Sequence, residues 1–301
     1  METMLPYDQI VRLLPPGLRQ FAFSVPYTER AIAEELRLRV GYPLSITLPE
    51  SEMHLRESPV ITTEDLYAVL EIATKASAHT ALDRVRHGFI TVQGGHRLGL
   101  CGSVVYKDGI IYNMRCVSSL NIRIARQIPG IADELLRTIR AGGKIPSVLV
   151  LAPPGAGKTT LLRDLIRGLS SGVCGIPLRV GVVDERGELA AMWNGVPQLE
   201  LGPQTDILDG CSKAEGLMIL LRAMNPQVLA MDEITAPEDI DALRAAAGCG
   251  VSLLATAHGG SVNDLHTRPL YETLLHSKIF HFLLQIKVIN GTRRYRLEEI
   301  A

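Results

Sequence analysis

An apolar run, Val148-Leu149-Val150-Leu151, feeds directly into Ala152-Pro153-Pro154-Gly155-Ala156-Gly157-Lys158-Thr159-Thr160, and this junction constrains the fold more than any other part of the chain. A buried-type strand has to end, turn sharply and pass into a helix. Leu161, Leu162, Leu165, Ile166 and Leu169 then recur at helical spacing, with Gly172 just beyond the end. A phosphate-binding loop has this layout: glycines let the backbone approach the phosphates, a lysine neutralises them, a hydroxyl serves Mg²⁺, and the helix N-terminus favours anions. Gly155, Gly157, Lys158 and Thr159 fill those places, and Pro153, Pro154, Ala156 and Thr160 complete the loop. The strict pattern has glycine where this chain has Ala152, a methyl group that is tolerated while φ stays negative. The alternative is a Gly/Pro-rich turn that binds nothing, and the strand before and helix after argue against it.

A hydrolase also needs a second acidic site. Val228-Leu229-Ala230-Met231 is a short apolar strand that ends in Asp232 and Glu233. Asp232 is the candidate Mg²⁺ ligand and Glu233 the candidate base for the attacking water. Alone, two acids closing a strand are commonplace; beside the loop they gain weight, because parallel sheets gather ligand-binding groups at the carboxyl ends of their strands. Two more strand ends join them: residues 179–184 lead into Glu185, Arg186 and Glu188, and residues 251–257 lead through Thr256 into His258-Gly259-Gly260. Asp184 and Glu185 are read either as site acids or as solvated ion-pair partners. His258 is read as a γ-phosphate or water sensor, the alternative being a packed or capping histidine.

From residue 146 to 301 the order strand, helix, strand, long loop, helix, strand, helix, strand specifies an α/β domain, mostly a parallel sheet with helices on both faces. The long loop, Glu185 to Ser212, holds the one Trp, Trp193; it is a candidate for partner contacts, with Trp193 either covering a local apolar patch or serving as a docking anchor. Residues 279–297 alternate around Asn290-Gly291, a hairpin expected to extend the sheet antiparallel at one edge. Residues 1–125 read as a smaller α/β domain carrying an antiparallel sheet. One helix begins at Thr28, with Ile32 and Leu36 on one face. A second follows Thr62, with Asp65 as its capping-box partner and Leu66, Val69, Leu70 and Ala73 as its buried stripe. Three strands, 89–92, 98–106 and 110–114, are separated by Gly94-Gly95 and Asp108-Gly109. Residues 126–145 are a linker containing a helix over 132–140, followed by Gly142-Gly143.

A chain of 301 residues, 47% hydrophobic, can bury a substantial core. Its 31 Lys and Arg nearly cancel 32 Asp and Glu, whereas a protein built to grip nucleic acid shows a basic excess; no nucleic-acid partner is expected. No apolar run approaches the roughly 20 residues that span a bilayer, and the first ten residues lack a signal pattern, so a cytoplasmic protein without a transmembrane segment of its own is expected. Cys101, Cys116, Cys174, Cys211 and Cys249 are scattered without CxxC spacing and read as reduced, mostly buried small residues, not metal ligands.

Taken in order, APPGAGKTT, VVDERGEL, KAEGLMILLRAMNPQVLAMDE and LLATAHGG, preceded by GGHRLGLCGSVV and SSLNIRIAR, resemble the stage III sporulation protein AA family, related to the ATPases of type II and type IV secretion. The resemblance spans nearly the whole chain and implies a RecA-like P-loop ATPase using ATP and Mg²⁺. It makes the region from Asp184 to Glu188 an acidic box and the region around His258 a histidine box. One departure is visible: in the wider secretion group the acidic strand often ends in Gly-Glu, whereas this chain has Asp232 before Glu233. The resemblance further implies a homo-hexamer in which a neighbouring subunit supplies arginines; Arg123, Arg126 and Arg222 are the candidates, each alternatively an ordinary surface ion pair. It also implies attachment, on the mother-cell side, to the membrane around the forespore through a membrane partner such as stage III sporulation protein AB. The expected function is ATP hydrolysis that energises or assembles a channel complex for spore development. The alternatives are a nucleotide-loaded scaffold or switch without sustained turnover, and a nucleic-acid-stimulated ATPase.

Overall fold

The computed structural model describes residues 4–75, 89–107, 109–141, 145–289 and 291–300. Asp108, Gly142-Gly143 and Asn290, all expected in turns, lie outside the described residues. The chain forms two compact units: one runs up to Arg126 and includes Ala191–Gln198, and the other comprises Gln127–Ala190 and the chain from Leu199 onward.

The first unit begins with three short helices, α1 (Pro6–Val11), α2 (Pro16–Phe23) and α3 (Tyr27–Ile32). Proline at the first position of α1 and α2 supplies a preset φ where no amide donor is needed. The helix expected from Thr28 stops at Ile32, and Leu36 lies on a strand instead. Strands β1 (Glu35–Arg39), β2 (Ser45–Leu48) and β3 (Ser51–His54) follow, then α4 (Thr63–Thr74), β4 (Phe89–Thr91), β5 (Arg97–Lys107) and β6 (Ile110–Arg123). The strands pair antiparallel throughout, in the order β3-β2-β1-β6-β5-β4. β6 continues well beyond the expected end at Met114. Its added length pairs with β1, aligning Leu120 with Leu38 and Ile122 with Leu36. These side chains form one core with Ile10 and Leu14 of the helical entry and with Leu66 and Val69 of α4. Thr62 and Asp65 exchange the reciprocal bonds of a capping box at the start of α4.

In the second unit, α5 (Asp133–Arg140) precedes β7 (Val148–Ala152) and α6 (Lys158–Ser171). Then come β8 (Val180–Asp184), β9 (Thr205–Asp209), α7 (Lys213–Ala223), β10 (Val228–Met231), α8 (Pro237–Gly248) and β11 (Ser252–His258). Helices α9 (Val262–His266) and α10 (Pro269–His276) and strands β12 (Phe282–Ile289) and β13 (Thr292–Glu299) complete it. The sheet order is β13-β12-β7-β11-β10-β8-β9. β9 lies inside the connection expected to be unstructured; Ile207 and Leu208 are too short an apolar stretch to announce a strand, but they pair in parallel with Val182 and Val183 at the sheet edge. The C-terminal hairpin also differs from expectation. β12 joins the sheet parallel to β7, and only β13 runs antiparallel; α9 and α10 carry the chain back before β12 begins, which is the crossover that a parallel strand requires.

Leu149 and Leu151 of β7 share a buried cluster with Leu217, Leu220, Ile240 and Leu243 of α7 and α8. Alternate residues of the same strands point to the opposite face, where α6 packs on β7 and β11 and carries α5. The sheet therefore has helices on both faces, and the carboxyl ends of β7, β8, β10 and β11 share one edge. The cysteines depart from the expected burial: Cys101, Cys116, Cys174 and Cys249 are exposed and Cys211 is half-buried.

Candidate functional site

At that shared edge, Gly155 and Gly157 have φ of 74° and 98°, a left-handed backbone that only glycine adopts without strain. They turn the chain so that α6 begins at Lys158. Ala152 still belongs to β7 and is not among the positive-φ residues, so its methyl group is accommodated. The Lys158 side chain folds back over the loop, donating to the carbonyls of Ala152 (3.1 Å) and Pro153 (3.5 Å) and to Nδ1 of His258 (2.6 Å). Burial lowers its pKa, against the opposing pull of the Asp232 and Glu233 charges. This is a cation held part-desolvated in a loop shaped for anions.

β10 and β11 bring the second half. The Asp232 carboxylate accepts from Thr159 Oγ1 (2.5 Å) on one oxygen and from Thr256 Oγ1 (2.6 Å) on the other. Thr256 Oγ also accepts from the Glu233 amide at 2.9 Å. Glu233 has φ of 49°, a conformation costing a non-glycine residue roughly 1–2 kcal/mol, and such strain concentrates at functional sites. Its carboxylate sits 2.9 Å from His258 Nε2 and 3.4 Å from Arg186 Nη1. With the Lys158 ammonium on Nδ1, the proton of a neutral imidazole belongs on Nε2, facing Glu233. Lys158 thus hydrogen-bonds His258, which lies within ion-pair distance of Glu233, alongside the hydrogen-bonded Thr159–Asp232–Thr256 line.

The acidic box has a different role in each residue. Asp184 is buried, and its carboxylate accepts from the amides of Glu188, Leu189 and Ala190. Burial raises its pKa despite those bonds, and the group anchors the turn after β8. Glu185 accepts from Lys213 Nζ at 2.6 Å. Lys213, only 6% exposed, also donates to Thr235 Oγ1 at 3.0 Å. No motif marks Lys213, because its partners come from two other strand ends. Val183, Asp184, Glu185, Arg186, Glu188, Lys213, Asp232 and Glu233 line one small cleft.

Arg222 lines a large cavity at the opposite, amino-terminal edge of the sheet, with Arg179, Asn225 and Cys249, and is outside the Lys158 cluster of its own chain. Arg126 belongs to the first unit, where it donates to the carbonyls of Ala31 (2.8 Å) and Ala33 (2.7 Å). Arg123 ends β6 in the same unit, opposite Glu35 and Arg97. Of the remaining loop residues, Pro153 and Pro154 are exposed, Ala156 is buried and Thr160 is half-buried. The connection expected to carry partner contacts joins the first unit at Ala191–Gln198. There Gln198 accepts from the Gly94 amide at 2.9 Å, and the Lys75 ammonium lies 4.4 Å from the Trp193 ring centre.

A parallel sheet with a glycine loop, a lysine and an acidic strand end converging at one edge defines the RecA-like P-loop class, and solved secretion ATPases share its fold. The pilus retraction motor PilT, solved with bound ADP, superposes with a TM-score of 0.62 at 18% identity, covering 89% of this chain and 80% of that one. The Legionella pneumophila ATPase DotB gives 0.57 at 15% identity, covering 88% and 76%. The family profile for sporulation stage III, protein AA matches residues 6–295. Stage III sporulation protein AA of Bacillus subtilis (strain 168) is 38% identical over 285 residues, 94% of this chain and 92% of its own length. The chain belongs to the sporulation stage III protein AA family.

Proposed function

We propose that this chain is a Mg²⁺-dependent ATPase that serves a secretion-like channel complex in spore development. The observation that carries the reading is the convergence of Lys158, Thr159, Asp232, Glu233 and His258, drawn from three strand ends, on a single loop. The side-by-side hydroxyl of Thr159 and carboxylate of Asp232 are hard oxygen donors of the kind Mg²⁺ takes. When bound there, Mg²⁺ would supply neutralisation of charge on the β- and γ-phosphates. Lys158 leaves His258 for the phosphates, and the loop amides cradle them. Glu233 removes a proton from a water whose oxygen bonds to the γ-phosphorus while the bond to the β,γ-bridging oxygen breaks, giving ADP and phosphate. His258 holds Glu233 in place and reports loss of the lysine contact. Glu185, tied to Lys213, shapes the cleft beside them. Arg222, at the far edge of its own sheet, meets a nucleotide only from a neighbouring copy, and Arg123 and Arg126 are the further candidates for that role in the ring assembly implied by family; the proposed place is the membrane around the forespore, docked on a membrane partner such as stage III sporulation protein AB.

The test is steady-state phosphate release. Wild-type protein is expected to turn over ATP only with Mg²⁺. Lys158→Ala should weaken nucleotide affinity by about one to two orders of magnitude, from hydrogen bonds to charged groups of roughly 1.5–3 kcal/mol. Glu233→Gln should bind normally and lose about 10²–10⁴-fold in turnover. Binding with no turnover in wild type would favour a nucleotide-loaded scaffold. Native mass measurement of Glu233→Gln with ATP checks the hexamer; a monomer at micromolar concentration counts against it.

A further inference from the structure

The side of the loop away from Asp232 carries a group with no assigned task. Arg293, on β13, donates through Nε to the Ala156 carbonyl at 2.9 Å. A β-carbon built on Gly157 would lie 3.0 Å from that Nε and 3.4 Å from the guanidinium carbon. The guanidinium therefore lies directly across the outer turn of the phosphate loop, closer than a β-carbon at Gly157 would ordinarily leave it. Among the described residues, this is the one hydrogen bond that the Arg293 side chain makes, so both Nη groups retain their donors. The side chain reaches the loop because Arg293 pairs with Val288, near the carboxyl end of β12, and β12 runs parallel to β7.

Sheet order gives this contact a direction. β11, which ends at His258, and β10, which leads into Asp232 and Glu233, lie on one side of β7; β12 and β13 lie on the other. A nucleotide whose terminal phosphate faces the carboxylates can extend its nucleoside end toward β12 and β13, the side on which Arg293 lies. We propose that Arg293 binds the nucleoside-monophosphate portion of the nucleotide, its Nη groups on the α-phosphate and its planar face against the base. This rests on the nucleotide-binding reading above. Contact at that end is the same for di- and triphosphates, and it adds to binding without entering the chemical step.

Calorimetric titration of ADP and ATP into wild type, Lys158→Ala, Arg293→Ala and Arg293→Lys, with steady-state phosphate release for kcat and melting curves as a folding check, tests the proposal. Arg293→Ala is expected to weaken ADP and ATP alike, by about tenfold from one charge-assisted contact, with kcat unchanged at saturation. Arg293→Lys should recover only part, because an ammonium keeps the charge and lacks the plane. Unchanged affinity for both nucleotides in folded Arg293→Ala overturns the proposal, as does a loss confined to ATP or to kcat, which would place the arginine at the γ-phosphate. If wild type itself binds neither nucleotide, the reading of the site as nucleotide-binding fails instead.

Discussion

Lys158 shows how a single residue is placed for function against its own stability. Its ammonium is part-buried, and burial lowers its pKa; the charges of Asp232 and Glu233 offset that cost incompletely. Lys158→Met is accordingly expected to melt, without nucleotide, at a temperature no lower than wild type while losing nucleotide binding, a comparison that scanning fluorimetry can make. A clear fall in melting temperature would mean that the lysine is mainly a structural tie. At this scale the sequence was informative wherever spacing along one segment carried the chemistry. Lys158 and Thr159 sit at fixed offsets from the loop glycines, and Asp232 and Glu233 close an apolar run. Lys213 and Arg293 were illegible, since their partners Glu185 and Ala156 lie 28 and 137 positions away.

Among the elements, α4 and α6 were legible because each combines a buried stripe with a local terminus signal. The Thr62 capping box bonds the first turn of α4 at both donors. Thr62→Ala should lower the stability of the first unit by about 1 kcal/mol, measurable as a lower denaturant midpoint with an unchanged slope. Short elements depart from their local pattern. Ile32 and Leu36 have helical spacing, but the four-residue interval spans the end of α3 and the start of β1, where Leu36 instead alternates with Leu38. β9 and the direction of β12 were hidden for a related reason: strand pairing is a property of the neighbour, and a short strand carries little pattern of its own.

For the molecule as a whole, the two units should respond differently to acid. His96 is buried in the first unit, accepting at Nδ1 from the Ala125 amide at 3.1 Å and lying at Nε2 3.0 Å from Gln9 Oε1, to which the neutral ring donates. Burial pulls its pKa down to about 4, below the ordinary value of about 6.5. Between those values the unfolded chain binds more protons than the folded one, so stability is complete above about pH 6.5 and declines as the pH falls toward 4. The loss is on the order of 3 kcal/mol at most. Thermal melts across that window should show this decline, and His96→Asn should be less stable at pH 7 but flatter with pH. An equal slope in both would remove His96 as the cause.

The sequence by itself determined the nucleotide loop, the acidic strand end and the alternation of strand and helix that makes the second unit an α/β sheet. These are written in local offsets and periods, which survive without knowledge of what lies opposite. Only the tertiary structure decided that Asp184 anchors a turn, that Lys213 holds Glu185, that Arg222 faces the far edge of the sheet and that Arg293 crosses the loop. Each of these depends on which strand ends meet in space, and burial and pairing between distant segments leave no periodic trace along the chain.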